Sequence, residues 1–224
     1  MDSRMTGSSY RIRLITSLVC MLALTANQHL SLAVSCMSHI EIRQKEVVIQ
    51  STEFACGAAA VATLMQYFFS IQVSESEVLA RAEASMLLRG ANPEEAHGLT
   101  AFDLKAASHA FGIGMAGYCI NQGELADYFA RGGLPVIAHL TYPHKHFVVV
   151  IGIRGTLLLI ADPAWGQRVV GCSEFDSMRT ERGVVLIPIP SQQRAEIAKA
   201  VQGQALLEMD GRLNQLQIIR EEIY

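Results

Sequence analysis

Apolar residues follow two different spacings along this chain, and the change falls near residue 134. Upstream, Gly57-Ala58-Ala59-Ala60-Val61-Ala62-Thr63-Leu64-Met65-Gln66-Tyr67-Phe68-Phe69 is rich in helix formers and apolar almost all round, which predicts a buried helix. Ser74 with Glu77 forms a capping box ahead of Val78-Leu79-Ala80. Thr100 opens a further helix that Gly112 closes, and Asn121 with Glu124 starts a short one ended by Gly132-Gly133. The stretch 57–133 therefore reads as mainly helical. Downstream, Leu134–Leu140, His146–Ile153 and Thr156–Asp162 are β-rich runs separated by turn residues, with Gln167–Val170 and Gly183–Ile187 as two more. Helices first and an antiparallel sheet second is the α+β arrangement.

The two ends read differently from this middle. Arg4, Arg11 and Arg13 precede the apolar run Leu14–Leu24, with small residues suited to cleavage at Ala26 and at Ala33-Val34-Ser35: the layout of a secretory signal peptide. The run is short of the about 20 residues that a membrane-spanning helix needs. Export to the periplasm follows as an expectation, with lipidation of Cys36 left open because Ser35-Cys36 matches a lipoprotein site poorly. At the other end Ile197, Val201, Ala205, Met209, Leu213 and Leu216 recur at helical spacing, predicting an amphipathic helix that lies on its own domain or on a partner. Gly203 and Gly211 each cost such a helix about 1 kcal/mol relative to Ala, so it needs a surface. The expected division is a signal peptide at 1–35, one domain at 36–190 and a helical tail at 191–224.

Composition narrows the partners. With 17% charged residues and a net charge of -3, the chain has no electrostatic footprint for nucleic acid, so peptides or proteins are the expected ligands. The cysteines Cys36, Cys56, Cys119 and Cys172 are widely spaced and lack a CxxC, which argues against a structural zinc site. Cys119 and Cys172 read as small core residues. His139, His144 and His146 lie close together, but no acidic ligand accompanies them, so no metal or other cofactor is expected.

Cys56 stands where loop becomes helix, and the free amides and partial positive charge of a helix start favour a thiolate. His146 opens an apolar strand that the turn at Arg154-Gly155 folds back against the strand ending in Asp162-Pro163. One register sets Asp162 directly opposite His146 and the next sets Pro163 there. Both strands are apolar on each face, so alternation does not choose between them. Either way an acid comes beside the histidine, where it can fix the imidazole tautomer and favour its charged form. Gln50, just upstream of Cys56, carries an amide able to donate to an oxyanion.

Gln50, Cys56-Gly57 with Ala59, His146-Phe147-Val148-Val149, and Asp162-Pro163 followed by Gly166 occur in one order. As an ordered set they resemble the bacteriocin-processing, double-glycine peptidase family. Gly98-Leu99-Thr100 and Leu134-Pro135-Val136-Ile137-Ala138 extend the likeness over roughly residues 46 to 189. The resemblance implies a papain-like fold with Cys56 on a central helix, His146 and Asp162 on the sheet, and Gln50 in the oxyanion hole. It implies a cysteine peptidase; the alternative is a catalytically silent domain that only binds a peptide. Ala55 departs from the family, which often has Asp there. Many relatives are amino-terminal domains of exporters that cut after two glycines, and here no transporter is attached. An exported, stand-alone member is similar to the peptidase component of bacterial functional-amyloid (Fap) secretion operons, whose substrate would be a secreted or amyloid-forming protein.

Overall fold

The computed structural model describes residues 38–92 and 98–223, so the signal-peptide segment and Cys36 lie outside the described residues. Four helices come first: α1 (His39–Gln44), α2 (Cys56–Thr63), α3 (Glu75–Leu88) and α4 (Ala101–Ala110). A π-helical turn, Leu64–Phe68, prolongs α2. Then come β1 (Gly114–Ile120), α5 (Gln122–Ala130), β2 (Val136–Leu140), β3 (His146–Arg154), β4 (Leu157–Asp162), β5 (Gly166–Gly171), α6 (Cys172–Ser177), β6 (Gly183–Ile189) and α7 (Gln192–Ile223). The expected capping boxes at Ser74/Glu77 and Asn121/Glu124 are both present, and Thr100 pairs with Asp103 in a third. Gly112 and Gly132 have positive φ beyond the helix ends, where a side chain would be strained.

The six strands order β1-β6-β2-β3-β4-β5, every neighbouring pair antiparallel. One face of the sheet carries α2, whose residues are all buried, together with Phe68, Phe69, Leu104 and Ile151. The other face holds a second core of Val148, Val150, Leu158, Ile160 and Phe175. Burying each such large side chain stabilises the fold by about 1.5–3 kcal/mol, so an almost uniformly apolar α2 has its place only in the centre of the molecule. Gly57 fits there because a Cβ would come within 2.9 Å of Leu104 and 3.2 Å of Phe147.

Three expectations need correction. Residues 114–120 form an edge strand in the stretch expected to be mainly helical; Gly114, Ala116 and Gly117 give it little β signal, and pairing with β6 supplies what propensity does not. Cys119 is exposed on that edge strand and is no core residue, whereas Cys172 is half-buried and packs against the second core; both are free thiols. The β3–β4 turn lies one step later than expected, closing between Arg154 and Leu157, and the strands then shift register between Val150 and Gly152. Asp162 therefore lies one step beyond the pair Val149–Ala161, opposite Val148, and neither Asp162 nor Pro163 opposes His146 directly.

The tail packs on its own domain. Ala198, Ala205, Leu206 and Met209 are buried against the core on the α2 face, beside the π-helical turn and β3. The buried stripe includes a polar residue, Gln202, which an apolar pattern does not register. Among the described residues, no helix is long and apolar enough to cross a membrane.

Candidate active site

Cys56 is the first residue of α2, and Ala55 before it makes no side-chain cap, so the amides of the helix start have no side chain from that position. Its thiol faces His146, the first residue of β3, and the backbone N–H groups of Phe147 and Gly57. Burial pushes the thiol pKa up. The hydrogen bond from His146, the two backbone donors and the imidazolium charge outweigh that, and the thiol sits below its ordinary value.

His146 Nε2 donates to Asp162 Oδ1 at 2.8 Å, which leaves Nδ1 for the thiol. Burial lowers the imidazole pKa, but the hydrogen bonds and charges of Asp162 and Cys56 push it up to about 9. A depressed thiol beside an elevated imidazole favours the thiolate–imidazolium pair at neutral pH. The Asp162 carboxylate is almost fully buried. Burial raises its pKa, yet His146, the Ala164 N–H (2.9 Å) and Arg168 Nη1 (3.2 Å) together hold it below its usual range. Arg168 is the one member that sequence reasoning did not place. The β4–β5 register, with Asp162 opposite Gly166 and Ile160 opposite Arg168, puts it on the face of Asp162, and that hairpin is the signal that would have found it.

Gln50 is anchored twice. Its backbone N–H donates to Pro163 O (2.9 Å), tying it to the residue after Asp162, and its side-chain Nε2 donates to Thr52 O (2.9 Å). Oε1 is buried without a partner. Flipping the amide would set two carbonyl oxygens against each other, so Nε2 toward Thr52 is the satisfactory orientation. All four expected residues, Gln50, Cys56, His146 and Asp162, line one open cleft of ≈ 1280 Å³. Exposed Phe54, Tyr142 and Trp165 stand around it. His139 and His144 also line it; His139 packs its ring against Phe147 at 4.8 Å. Burial, then the charges of Lys145 and His146, lower the His139 pKa. Among the described residues no group of three His, Cys, Asp or Glu is placed to hold a metal ion.

A buried helix-start thiol, an imidazole and a carboxylate joined in one line can carry acyl transfer. The sequence profile described as "Peptidase C39 family" matches residues 44–193, well over half of the chain. The chain belongs to the peptidase C39 family. It is a cysteine peptidase, and its fold is papain-like. The chain is 30% identical over 138 residues to the probable functional amyloid protease FapD of Pseudomonas aeruginosa, covering 60% of this chain and 57% of FapD. It is 28% identical over 151 residues to the lactococcin-G-processing and transport ATP-binding protein LagD of Lactococcus lactis, covering 66% of this chain and 19% of LagD. The chain thus spans little more than half of one relative and a fifth of the other.

Among solved structures, a double glycine motif protease from an AMS/PCAT transporter, in complex with the leader peptide, superposes with a TM-score of 0.52 at 27% identity. The match covers 65% of this chain and 91% of that one. The peptidase domain of Streptococcus ComA shares the fold, with a TM-score of 0.53 at 21% identity over 65% of this chain and 98% of its own. The α7 helix, from Gln192 onward, lies almost wholly outside the family match.

Proposed function

We propose that this C39 peptidase hydrolyses a peptide bond of an exported peptide or protein, with Cys56 as nucleophile, His146 as general base and acid, Asp162 as orienter and Gln50 lining the oxyanion hole. The observation that carries this is the continuous line from the Cys56 thiol through His146 to the buried Asp162 carboxylate along one open cleft. The thiolate attacks the scissile carbonyl carbon. The oxygen takes up the negative charge, facing the backbone N–H of Cys56 and the Gln50 N–H not used by Thr52. As the C–N bond breaks, the His146 imidazolium gives its proton to the leaving amine. Water then attacks the thioester, His146 takes the water proton, and the carboxylate product leaves a free thiol. The FapD likeness supports a secreted or amyloid-forming substrate; the leader-peptide complex of the AMS/PCAT protease supports a Gly-Gly cleavage site.

The test is steady-state kinetics on a panel of peptides that each carry a Gly-Gly site. Wild type is expected to cleave one of them. Gln50→Ala is expected to lower kcat by about 10²–10³ with a much smaller change in KM, because an oxyanion donor binds the transition state more strongly than the ground-state carbonyl. No cleavage by wild type would sink the substrate reading. An unchanged kcat, or an effect on KM alone, would remove Gln50 from the oxyanion hole.

We also propose that the enzyme works in the periplasm after removal of the segment ending at Ala26 or Ser35. Mass spectrometry of protein recovered from its own host is expected to find a mature amino terminus beyond Ala26. An intact Met1 in the cytosolic fraction would refute export.

A further inference from the structure

We propose that Gln202 of the carboxy-terminal helix is a positioning residue for the peptidase site: by holding the β-bulge at Ile151 it keeps Asp162 on the same sheet face as His146. This rests on the reading of His146 as general base and Asp162 as its orienter.

The argument starts from the register. Arg154 pairs with Leu157, Ile153 with Leu158 and Gly152 with Leu159, but then Val150 pairs with Ile160 and Val149 with Ala161. Ile151 has no partner in β4. Had the first register continued, Asp162 would fall opposite Val149 and turn to the α2 face, away from the face of His146 and Val148. A one-residue slip moves every following side chain to the other face. The bulge supplies that slip. On the bulged strand Ile151 belongs to the core on the α2 face, and a Cβ on Gly152 would meet Leu206 of α7 at 2.9 Å, so two successive residues look toward the same layer.

A bulge leaves backbone groups outside the ladder, and a buried one needs another partner. Here the partner is Gln202, whose Nε2 donates to Ile151 O at 2.6 Å and to Gly133 O, just ahead of β2, at 3.0 Å. Gln202 is buried, and both N–H groups of its amide are spent on these two carbonyls. A buried polar side chain on a helix outside the family match, bonded to the carbonyl where the register breaks, links α7 to the geometry of the site.

Several charged or titratable groups act around His146: Cys56 from α2, Asp162 from β4 with Arg168 of β5 on its other oxygen, His139 from β2, and Lys145 in the preceding loop. Only the Asp162 contact depends on the bulge. The experiment compares kcat and the pH profile of kcat/KM for wild type, Gln202→Met, Asp162→Asn and Met209→Ala, each well below its melting temperature. Gln202→Met keeps the side-chain length and loses both donors; Met209→Ala destabilises the same helix without touching the bulge. Gln202→Met is expected to lower kcat by about tenfold or more and to move the alkaline limb toward neutrality, in the direction of Asp162→Asn. Met209→Ala is expected to lose melting temperature and keep the wild-type limb. If Asp162→Asn moves the limb and Gln202→Met leaves it and kcat in place, the positioning role is wrong. If Asp162→Asn itself leaves the limb in place, the underlying reading of Asp162 fails instead. Should Gln202→Met not fold, Gly152→Ala keeps every hydrogen-bonding group while pressing Leu206 away. It is expected to shift the limb in the same direction, and an unshifted limb there overturns the proposal.

Discussion

Cys56→Ala is expected to abolish peptide hydrolysis, with a loss on the order of 10⁶-fold, while circular dichroism and melting temperature stay close to wild type. The sulfur is the only atom of this site able to form the acyl-enzyme, so its removal leaves substrate binding and oxyanion donors but no covalent path. The fold should tolerate the change because α2 is already lined with alanines that are fully buried, and one more at its start preserves the close approach of Gly57 to Leu104 and Phe147. Peptide turnover and iodoacetamide alkylation, followed side by side, check the assignment. Wild type should alkylate at neutral and mildly acidic pH, where an ordinary thiol is protonated, because the Cys56 pKa is lowered. Residual turnover comparable with wild type would remove Cys56 from the mechanism.

The second large effect belongs to His146. His146→Ala should lose about 10³-fold or more, and Asp162→Asn about 10²-fold, since an amide can still orient the ring but cannot stabilise imidazolium as a carboxylate does. The pH profile of kcat/KM for wild type should be bell-shaped. Its acid limb is set by the lowered thiol pKa, below which the nucleophile is protonated. Its alkaline limb lies near the His146 value of about 9, above which the acid for the leaving amine is gone. Replacing Asp162 removes a group that raises the imidazole pKa, so the alkaline limb should move down and the bell narrow. The same ionisations act on stability. The raised His146 pKa stabilises the folded chain fully below the ordinary histidine value, and that contribution is lost as pH rises through about 9. The lowered Asp162 pKa stabilises it above the ordinary carboxylate value and is lost as pH falls through the lowered one. A wild-type profile retained by Asp162→Ala would show that the carboxylate does not act through the imidazole.

What could be read from the residues follows from how local each signal is. Capping boxes at Ser74, Thr100 and Asn121 act over four residues, so they mark helix starts without reference to the rest of the chain. The almost wholly apolar Gly57–Phe69 segment has only one place to go, and Gln50, Cys56, His146 and Asp162, singled out by their order in the sequence, line one cleft. The β3–β4 register was not legible. His146–Ile153 and Thr156–Asp162 are buried on both faces, so no alternation marks the face of any residue, and the bulge at Ile151 depends on a donor far along the chain in Gln202. Arg168 was missed because its role exists only once β4 and β5 are paired. Gln202 was passed over for a related reason: a polar residue in an otherwise apolar stripe weakens the pattern that would draw attention to it.

The docking of α7 also sets an order of events. Chains emerge amino terminus first, whether from a ribosome or from a translocation pore, and elements far apart in sequence must wait for one another. Cys56, His146 and Asp162 have all emerged by residue 162, yet Ala198, Ala205, Leu206 and Met209, which complete the core on the α2 face, emerge later. A nascent chain holding every chemical group of the site still lacks the cover over the π-helical turn and the Gln202 partner of the Ile151 carbonyl. Timing then separates possession of the reactive thiol from its full alignment.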